Sequence, residues 1–207
     1  VQRSAAVEAG GTKIVVAVGR TWEEIRNGEK HTVPTGRPDE TLSAVAEWIR
    51  GRRPGGVAAV GVAAFGPLQL GAGRVGPTPK PGWAGFDWRA AVDRHFPGAA
   101  TGIDTDTNGA ALAESRWGAG AGLDVVLYVT VGTGIGAGVV ISGQMLHGLV
   151  HPEVGHMRVP RDHGDSFPGT CPFHGDCLEG LAAGPAVAAR WGTPGSQLPP
   201  DHRAWTL

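Results

Sequence analysis

Residues Ala5–Val18, AAVEAGGTKIVVAV, place a glycine turn between two short runs of apolar, β-branched residues. This pattern predicts a β-hairpin with strands over Ala5–Glu8 and Ile14–Val18, separated by Ala9, Gly10, Gly11, Thr12 and Lys13. A turn made of glycines exposes consecutive backbone N–H groups that can cradle a phosphate, with the threonine hydroxyl and the lysine ammonium beside them. Any tight hairpin can use Gly-Gly, so this turn alone is weak evidence for phosphate binding.

A second stretch repeats the plan. Val125–Ile141, VVLYVTVGTGIGAGVVI, again has an apolar run, a glycine-rich turn with threonine, and another apolar run that is expected to begin at Val139. The G-x-G-x-x-A pattern here is not a dinucleotide fingerprint, because that fingerprint must open a helix. Two such hairpins on opposite sides of a cleft would clamp the phosphates of a nucleotide between two domains. The residues predicted for the second phosphate turn are Gly132, Thr133, Gly134 and Gly136.

Both cysteines of the chain lie in the loop CPFHGDC, within a segment rich in Gly, Pro and Asp. Cys171, His174 and Cys177 recur at intervals of three, and His156 lies upstream. Two thiolates and two neutral imidazoles form a tetrahedral ligand set for structural Zn²⁺. The alternative is a disulfide, which would constrain the unfolded chain by less than about 3 kcal/mol, whereas a structural zinc contributes roughly 10–16 kcal/mol to folding. Zinc is favoured, with His163 as the main rival to His156 for the fourth position.

Two glutamates, Glu153 and Glu179, flank these ligands. A carboxylate held beside a rigid metal loop can accept hydrogen bonds from vicinal hydroxyls. His156 can use the ring nitrogen that does not face the metal for a neighbouring partner or a ligand. Both glutamates are equally consistent with solvated surface charges.

The polar run DTDTN, Asp104–Asn108, follows a predicted strand that ends at Ile103 and precedes an Ala-rich helical run from Gly109 to Glu114. Asp106 is therefore expected at a strand end just before a helix. A carboxylate there can take the proton from a substrate hydroxyl as it attacks a phosphoryl group, and Asn108 can orient the substrate. Asp106 or Thr107 could instead cap the helix, and capping and catalysis are compatible.

Between the hairpins, the sequence predicts a helix that begins at Pro38 and Asp39, a buried strand over Val57–Ala63 and a short helix near Trp88–His95. The loop TPKPGW contains Trp83, which could stack on a sugar face. Packing in the hydrophobic core is the more common role of a single tryptophan.

Composition and charge exclude several classes of protein. At 207 residues the chain can form one large domain or two small ones. Lys and Arg total 18 against 19 Asp and Glu, with no basic run, which argues against nucleic-acid or anionic-membrane binding. No apolar run has transmembrane length, and the first residues lack the features of a signal peptide. The expectation is a cytoplasmic protein with small-molecule partners.

Several segments together resemble the ROK-type bacterial fructokinases, which are sugar kinases with the actin-like ATPase fold. They are AVEAGGTK, GVAAFGP, TPKPGW, DTDTNGAALAE, LYVTVGTGIGAGV, HGLVHPEVGH and CPFHGDCLEGLAAGPA, in the same order over Val7 to about Trp191. The resemblance implies an α/β, ribonuclease H-like fold with two α/β domains around a cleft. Residues 1–105 would carry the first phosphate loop, and residues 106–207 the second phosphate loop and the zinc loop.

The resemblance also implies a reaction and a site. The reaction is ATP-dependent phosphorylation of a hexose, D-fructose to fructose 6-phosphate, with Asp106 as catalytic base, Mg²⁺ on the phosphates and zinc as a structural ion. The residues implied in sugar binding are Asn108, Glu153, His156 and Glu179, and those implied in zinc binding are His156, Cys171, His174 and Cys177. Dimers are common in the family, so a homodimer is one expected assembly.

The sequence departs from the family in two places. Glu8 stands where many relatives carry Asp before the glycine turn, which leaves the Mg²⁺ contact open. The family continues past the helix at Gly184 and Pro185 into further helices and an adenosine-binding loop, whereas this sequence ends at Leu207. The second domain is therefore expected to be incomplete. The alternative function is a sugar-binding remnant without kinase activity.

Overall fold

The computed structural model describes residues 2–78 and 80–205, which form an α/β fold. In chain order the strands are β1 (Ser4–Ala9), β2 (Lys13–Gly19), β3 (Lys30–Pro34), β4 (Ala59–Ala64), β5 (Leu68–Gln69), β6 (Arg74–Val75), β7 (Ala100–Thr105), β8 (Val125–Val131), β9 (Ile135–Ile141) and β10 (Gln144–Met145). The α-helices are α1 (Trp22–Asn27), α2 (Pro38–Arg52), α3 (Trp88–His95), α4 (Asp106–Trp117), α5 (Leu178–Ala182) and α6 (Gly184–Trp191). Within the described ranges, no helix combines the length and the apolar character that a membrane span needs.

The chain divides into two compact units. The first unit comprises Val1–Ala110 together with His147–His151, and the second comprises Ala111–Leu146 and Pro152–Leu207. The domain limits predicted from the sequence, 1–105 and 106–207, stay a prediction, and their outer ends at residues 1 and 207 lie outside the described residues.

A five-stranded mixed sheet forms the centre of the first unit, with the strand order β3-β2-β1-β4-β7. Strand β1 pairs antiparallel with β2 and parallel with β4, and β4 pairs parallel with β7. In this register Ala9 lies opposite Ala64, and Ala64 lies opposite Thr105. The three parallel strands therefore end at the same edge of the sheet, where α/β proteins bind their ligands.

Alternation of apolar residues explains how the sheet is covered. Ala5, Val7 and Ala9 of β1 are buried, whereas Glu8 is exposed, as the two-residue period of a strand requires. Helix α2 begins at Pro38, as predicted, and packs on β2 and β3. The helical face predicted from the sequence spacing is the buried one, with Leu42, Val45, Ala46 and Ile49 in the core. Each large aliphatic side chain buried there contributes about 1.5–3 kcal/mol.

Trp83 is part of this core. Its side chain has no exposed surface, and its ring contacts Phe65, Phe86 and Trp88 with centroid separations of 5.3, 5.0 and 5.5 Å. Its indole N–H donates to the Gly36 carbonyl oxygen at 2.9 Å, which satisfies the buried polar group. The packing role considered from the sequence is therefore correct, and a stacking role on a sugar is not.

The second unit contains the antiparallel sheet β10-β9-β8 and helices α5 and α6. The predicted strand β8 is confirmed, but the wide turn predicted up to residue 138 is wrong. Strand β9 begins at Ile135, so Gly136 is a strand residue paired with Thr130. Ile135 and Ala137 are buried alternately on one face, and this alternation continues the strand through the glycines. The turn itself consists of Gly132, Thr133 and Gly134.

The start of α4 also differs from the expectation. Strand β7 continues to Thr105, beyond Ile103, and the helix begins at Asp106 rather than Gly109. The Thr105 hydroxyl accepts a hydrogen bond from the Asn108 N–H at 3.1 Å. Thr105 therefore caps the helix, in the geometry usual for an N-terminal threonine cap, and neither Asp106 nor Thr107 is needed for that purpose.

Candidate active site and metal centre

The first glycine turn lies at the carboxyl edge of the five-stranded sheet, directly after β1. The Gly10 N–H donates to the Lys13 carbonyl oxygen at 2.9 Å. Thr35, which follows β3, supports the turn twice: its hydroxyl donates to the Gly10 carbonyl oxygen at 2.8 Å, and its N–H donates to the Thr12 carbonyl oxygen at 3.0 Å. Gly11, Thr12 and Lys13 remain exposed. Thr35 thus holds the carbonyl groups of the turn, while the exposed residues of the turn remain accessible to an anion.

Asp106 lies at the same edge of the sheet, at the end of β7. Strand β7 is two strands away from β1, which at about 4.8 Å per strand is a lateral distance of about 10 Å. The Thr107 N–H donates to Asp106 Oδ1 at 2.8 Å. Burial raises the pKa of the Asp106 carboxyl group, and backbone hydrogen bonds and the nearby His151 offset part of this rise. A raised pKa makes the ionised carboxylate a better proton acceptor.

Asn108, in the first turn of α4, is fully buried. Its side-chain N–H donates to Asp104 Oδ1 at 2.7 Å. The same aspartate accepts from the Thr105 N–H at 2.8 Å, and its Oδ2 pairs with Nε2 of His147 at 2.9 Å. Asn108 therefore holds Asp104 in place, and its predicted contact with a sugar stays a prediction.

The segment His147–His151 belongs to the first unit and attaches to it through both histidines. His147 pairs with Asp104, and the Leu68 N–H donates to Nε2 of His151 at 3.2 Å. The sequence did not reveal these contacts. His147 lies 43 residues from Asp104, and no local pattern links the two.

Four predicted zinc ligands come together in the second unit. One ligand atom from each of His156, Cys171, His174 and Cys177 lies within 4.8 Å of the others. The Sγ atoms of Cys171 and Cys177 lie 3.7 and 3.6 Å from Nδ1 of His156, and Cys171 Sγ lies 3.8 Å from Nδ1 of His174. Zn–S and Zn–N bonds of about 2.3 and 2.05 Å at tetrahedral angles place sulfur and nitrogen about 3.6 Å apart. The residues present fit a tetrahedral zinc ion.

Local backbone bonds explain this arrangement. Cys171 and Gly175 exchange hydrogen bonds of 3.2 and 2.9 Å, which folds CPFHG into a tight turn and brings His174 beside Cys171. Both cysteines are free thiols in the structure, so the disulfide alternative is wrong. His163, the rival ligand, is not in the group. Burial raises the pKa of the Cys177 thiol, and binding of a metal would favour its thiolate instead.

The two glutamates beside the metal ligands have different surroundings. Oε2 of Glu153 lies 3.9 Å from Nε2 of His156, the ring nitrogen that faces away from the thiols. This distance is longer than a hydrogen bond, so the carboxylate interacts with the imidazole through charge rather than through a direct bond. Glu179 is not a solvated surface charge, because its Oε2 accepts a hydrogen bond from the Ile135 N–H at 2.9 Å, at the end of the second glycine turn.

Two further backbone hydrogen bonds stabilise the second turn, one within it and one from helix α6. The Gly132 N–H donates to the Gly134 carbonyl oxygen at 2.9 Å, and the Gly184 N–H, at the start of α6, donates to the Gly132 carbonyl oxygen at 2.8 Å. Gly132, Thr133 and Gly134 lie in the turn, as predicted, and their binding of phosphate stays a prediction. Gly136 lies within β9.

The chain is similar to known proteins in sequence and in fold. The model of the ROK family matches residues 4–204. A fructokinase of Zymomonas mobilis is 43% identical over 94% of this chain and 66% of its own length, and a fructokinase of Pediococcus pentosaceus is 40% identical over 98% and 70%. The crystal structure of a ROK family glucokinase from Streptomyces griseus, in complex with glucose and AMPPNP, superimposes with a TM-score of 0.72 and 30% identity, covering 90% of this chain and 59% of that one.

The fold and these matches place the chain in the class of sugar kinases with the actin-like ATPase fold. The chain belongs to the ROK family. It spans about two thirds of the length of the curated relatives that it matches.

Proposed function

We propose that this protein transfers the γ-phosphoryl group of ATP to a hexose hydroxyl, with the 6-hydroxyl of D-fructose as the preferred acceptor. The observation that carries the proposal is the 43% and 40% identity to two proteins named fructokinase, over nearly the whole chain. Both of these relatives are named as kinases. Their names therefore do not support the alternative, a sugar-binding remnant without kinase activity.

Asp106 is the proposed catalytic base. It lies at the carboxyl edge of the sheet that also presents the first glycine turn, and burial keeps the pKa of its carboxyl group above the usual range. The ionised carboxylate would accept the proton of the attacking hydroxyl, an effect that typically accelerates a reaction 10²–10⁴-fold, by about 3–5 kcal/mol. Asp104, held by Asn108 and His147, fixes the end of β7 from which α4 starts.

The glycine turns are the proposed phosphate sites. Gly10, Gly11, Thr12 and Lys13 would form the first site, in which the N–H groups of Gly11 and Thr12 and the lysine ammonium would bind phosphate. Gly132, Thr133 and Gly134 would form the second, in which the N–H groups of Thr133 and Gly134 would bind it. The N–H groups of Gly10 and Gly132 are already donated within their own turns. Gly136 is omitted because it lies beyond the turn, within β9 and paired with Thr130. Lys13 is the first residue of β2 rather than a turn residue, and it is kept because its side chain carries an exposed ammonium group. When bound with ATP, Mg²⁺ would neutralise charge on the phosphates.

Zinc is proposed as a structural ion, held by His156, Cys171, His174 and Cys177. Four protein ligands leave no open position for a substrate, so its role is to fix the loop. Three of the residues proposed to bind sugar hydroxyls, Glu153, His156 and Glu179, lie within this segment or directly beside it.

A panel of sugars tests this function. ADP release is measured with the purified chain, Mg-ATP and D-fructose, D-glucose or D-mannose in parallel. We expect kcat/KM for fructose to exceed that for either aldose. A higher kcat/KM for glucose would contradict the proposed sugar, and the absence of turnover with all three sugars would contradict the proposed kinase activity.

A further inference from the structure

The carboxylate of Glu179 links the second glycine turn to the metal loop, which is the segment 155–177 that contains the four predicted ligands. Glu179 lies in the first turn of α5, two residues after the metal ligand Cys177. Its Oε2 accepts the Ile135 N–H at 2.9 Å. A side chain expected either to bind a sugar or to be a solvated surface charge therefore already uses one of its oxygens within the protein.

The metal loop fixes the start of α5 on both sides of Glu179. The Leu178 N–H donates to the Met157 carbonyl oxygen at 3.0 Å, directly after the ligand His156. The Thr170 N–H donates to the Gly180 carbonyl oxygen at 2.9 Å, directly before the ligand Cys171. Residues adjacent to two of the four metal ligands thus position the backbone that carries the carboxylate.

At two glycines near the hairpin, an added Cβ atom would displace a neighbouring group. A Cβ atom at Gly134 would lie 2.6 Å from Glu179 Oε2, which is too short for a real contact. A Cβ atom at Gly155, the residue before His156, would overlap the Ile135 carbonyl oxygen. The backbone of the metal loop therefore packs directly on Ile135, whose N–H is bonded to Glu179 and whose carbonyl lies against Gly155.

We propose that Glu179 is a positioning residue for the second glycine turn, and that a divalent cation bound by the four ligands orders this turn through it. The assignment of the turn to phosphate rests on the proposed function, whereas the ordering itself does not. The metal loop would then organise the phosphate side of the site as well as the sugar side.

The test follows hydrogen exchange of the Ile135 amide in the full chain, without ATP or sugar, so that its failure differs from a failure of the kinase proposal. In zinc-loaded Glu179→Ala the amide loses its acceptor, and its exchange should become about tenfold faster or more. Glu179→Gln keeps an acceptor oxygen and should retain most of the protection. The matched control is Asp124→Ala, which removes an exposed carboxylate at the far end of the same hairpin and should leave Ile135 unchanged.

A second variant covers the case in which Glu179→Ala does not fold. Gly134→Ala leaves Glu179 in place but forces its carboxylate away, so it should also accelerate exchange at Ile135 while zinc content stays normal. In the unmodified chain, chelation should accelerate the same amide and Zn²⁺ should restore its protection. Unchanged Ile135 exchange in Glu179→Ala or Gly134→Ala, or zinc binding that protects residues 171–177 without affecting Ile135, would overturn the proposal.

Discussion

Replacing Asp106 by asparagine separates the chemistry of this residue from its structure. The change removes the basic carboxylate but keeps a side chain of the same shape, whose amide oxygen can still accept the 2.8 Å hydrogen bond from the Thr107 N–H. The helix start is retained as well, because its cap is Thr105. Any loss of turnover therefore reports on proton transfer rather than on misfolding.

The expected size follows from the role of a general base. We expect kcat with fructose to fall 10²–10⁴-fold, which corresponds to about 3–5 kcal/mol of transition-state stabilisation. Fructose affinity, measured by calorimetry, should change little, since the substitution leaves the hydrogen-bonding surface nearly intact.

The matched control is Asp87→Asn. Asp87 caps α3 by accepting a hydrogen bond from the Ala90 N–H at 2.9 Å, and it pairs with Arg74 at the surface. An amide oxygen preserves the cap, and a surface ion pair is worth about 0–1 kcal/mol, so turnover should remain at the unmodified level. Residual kcat of Asp106→Asn above about a tenth of the unmodified value would refute the assignment, because general-base catalysis supplies more than that.

Three further predictions concern pH, metal and core. Burial raises the pKa of Asp106, so this base should become protonated at a pH above the ordinary aspartate pKa of about 3.9. We therefore expect kcat/KM to decline as the pH falls through that higher value. An acid limb of the pH–rate profile at or below the ordinary pKa would contradict burial as the cause. Cys171→Ser should lower both the zinc content, measured by atomic absorption, and the sugar affinity. The control His163→Ala lies outside the cluster and should change neither. A normal zinc content in Cys171→Ser would exclude zinc binding by this cluster. Trp83→Ala should lower the free energy of unfolding by about 3–5 kcal/mol and the Tm by roughly 6–20 °C. Trp205 is half exposed, so Trp205→Ala should lower the Tm much less in the same melting experiment. Equal decreases in Tm would show that Trp83 is not a main contributor to the core.

Local patterns in the sequence predicted much of the fold. The first hairpin, the start and buried face of α2, the limits of α3 and strand β8 follow from periodicity and turn residues that act over a few positions. The turn before β9 was predicted too long, because four glycines within seven residues masked the burial of Ile135 and Ala137. The start of α4 was predicted too late, because the capping hydroxyl belongs to Thr105, a residue of the preceding strand.

The grouping of His156, Cys171, His174 and Cys177 could be predicted because three of the four lie within seven residues and carry distinctive chemistry. Contacts between distant segments could not be predicted. Nothing in the sequence near Asp104 indicates His147, and nothing near Glu179 indicates the Ile135 N–H. Such contacts depend on how strands and loops pack, and the sequence-based assignment of Glu179 to a sugar alone therefore missed its bond to the glycine turn.

The most direct test of the central claim is identification of the product. The purified chain is incubated with Mg-ATP and D-fructose, and the reaction is followed by ³¹P NMR against authentic standards. We expect fructose 6-phosphate and ADP to appear in equal amounts, and neither to form at a comparable rate when fructose is omitted. ATP that remains unchanged in the presence of fructose, or a phosphate on a different hydroxyl, would contradict it.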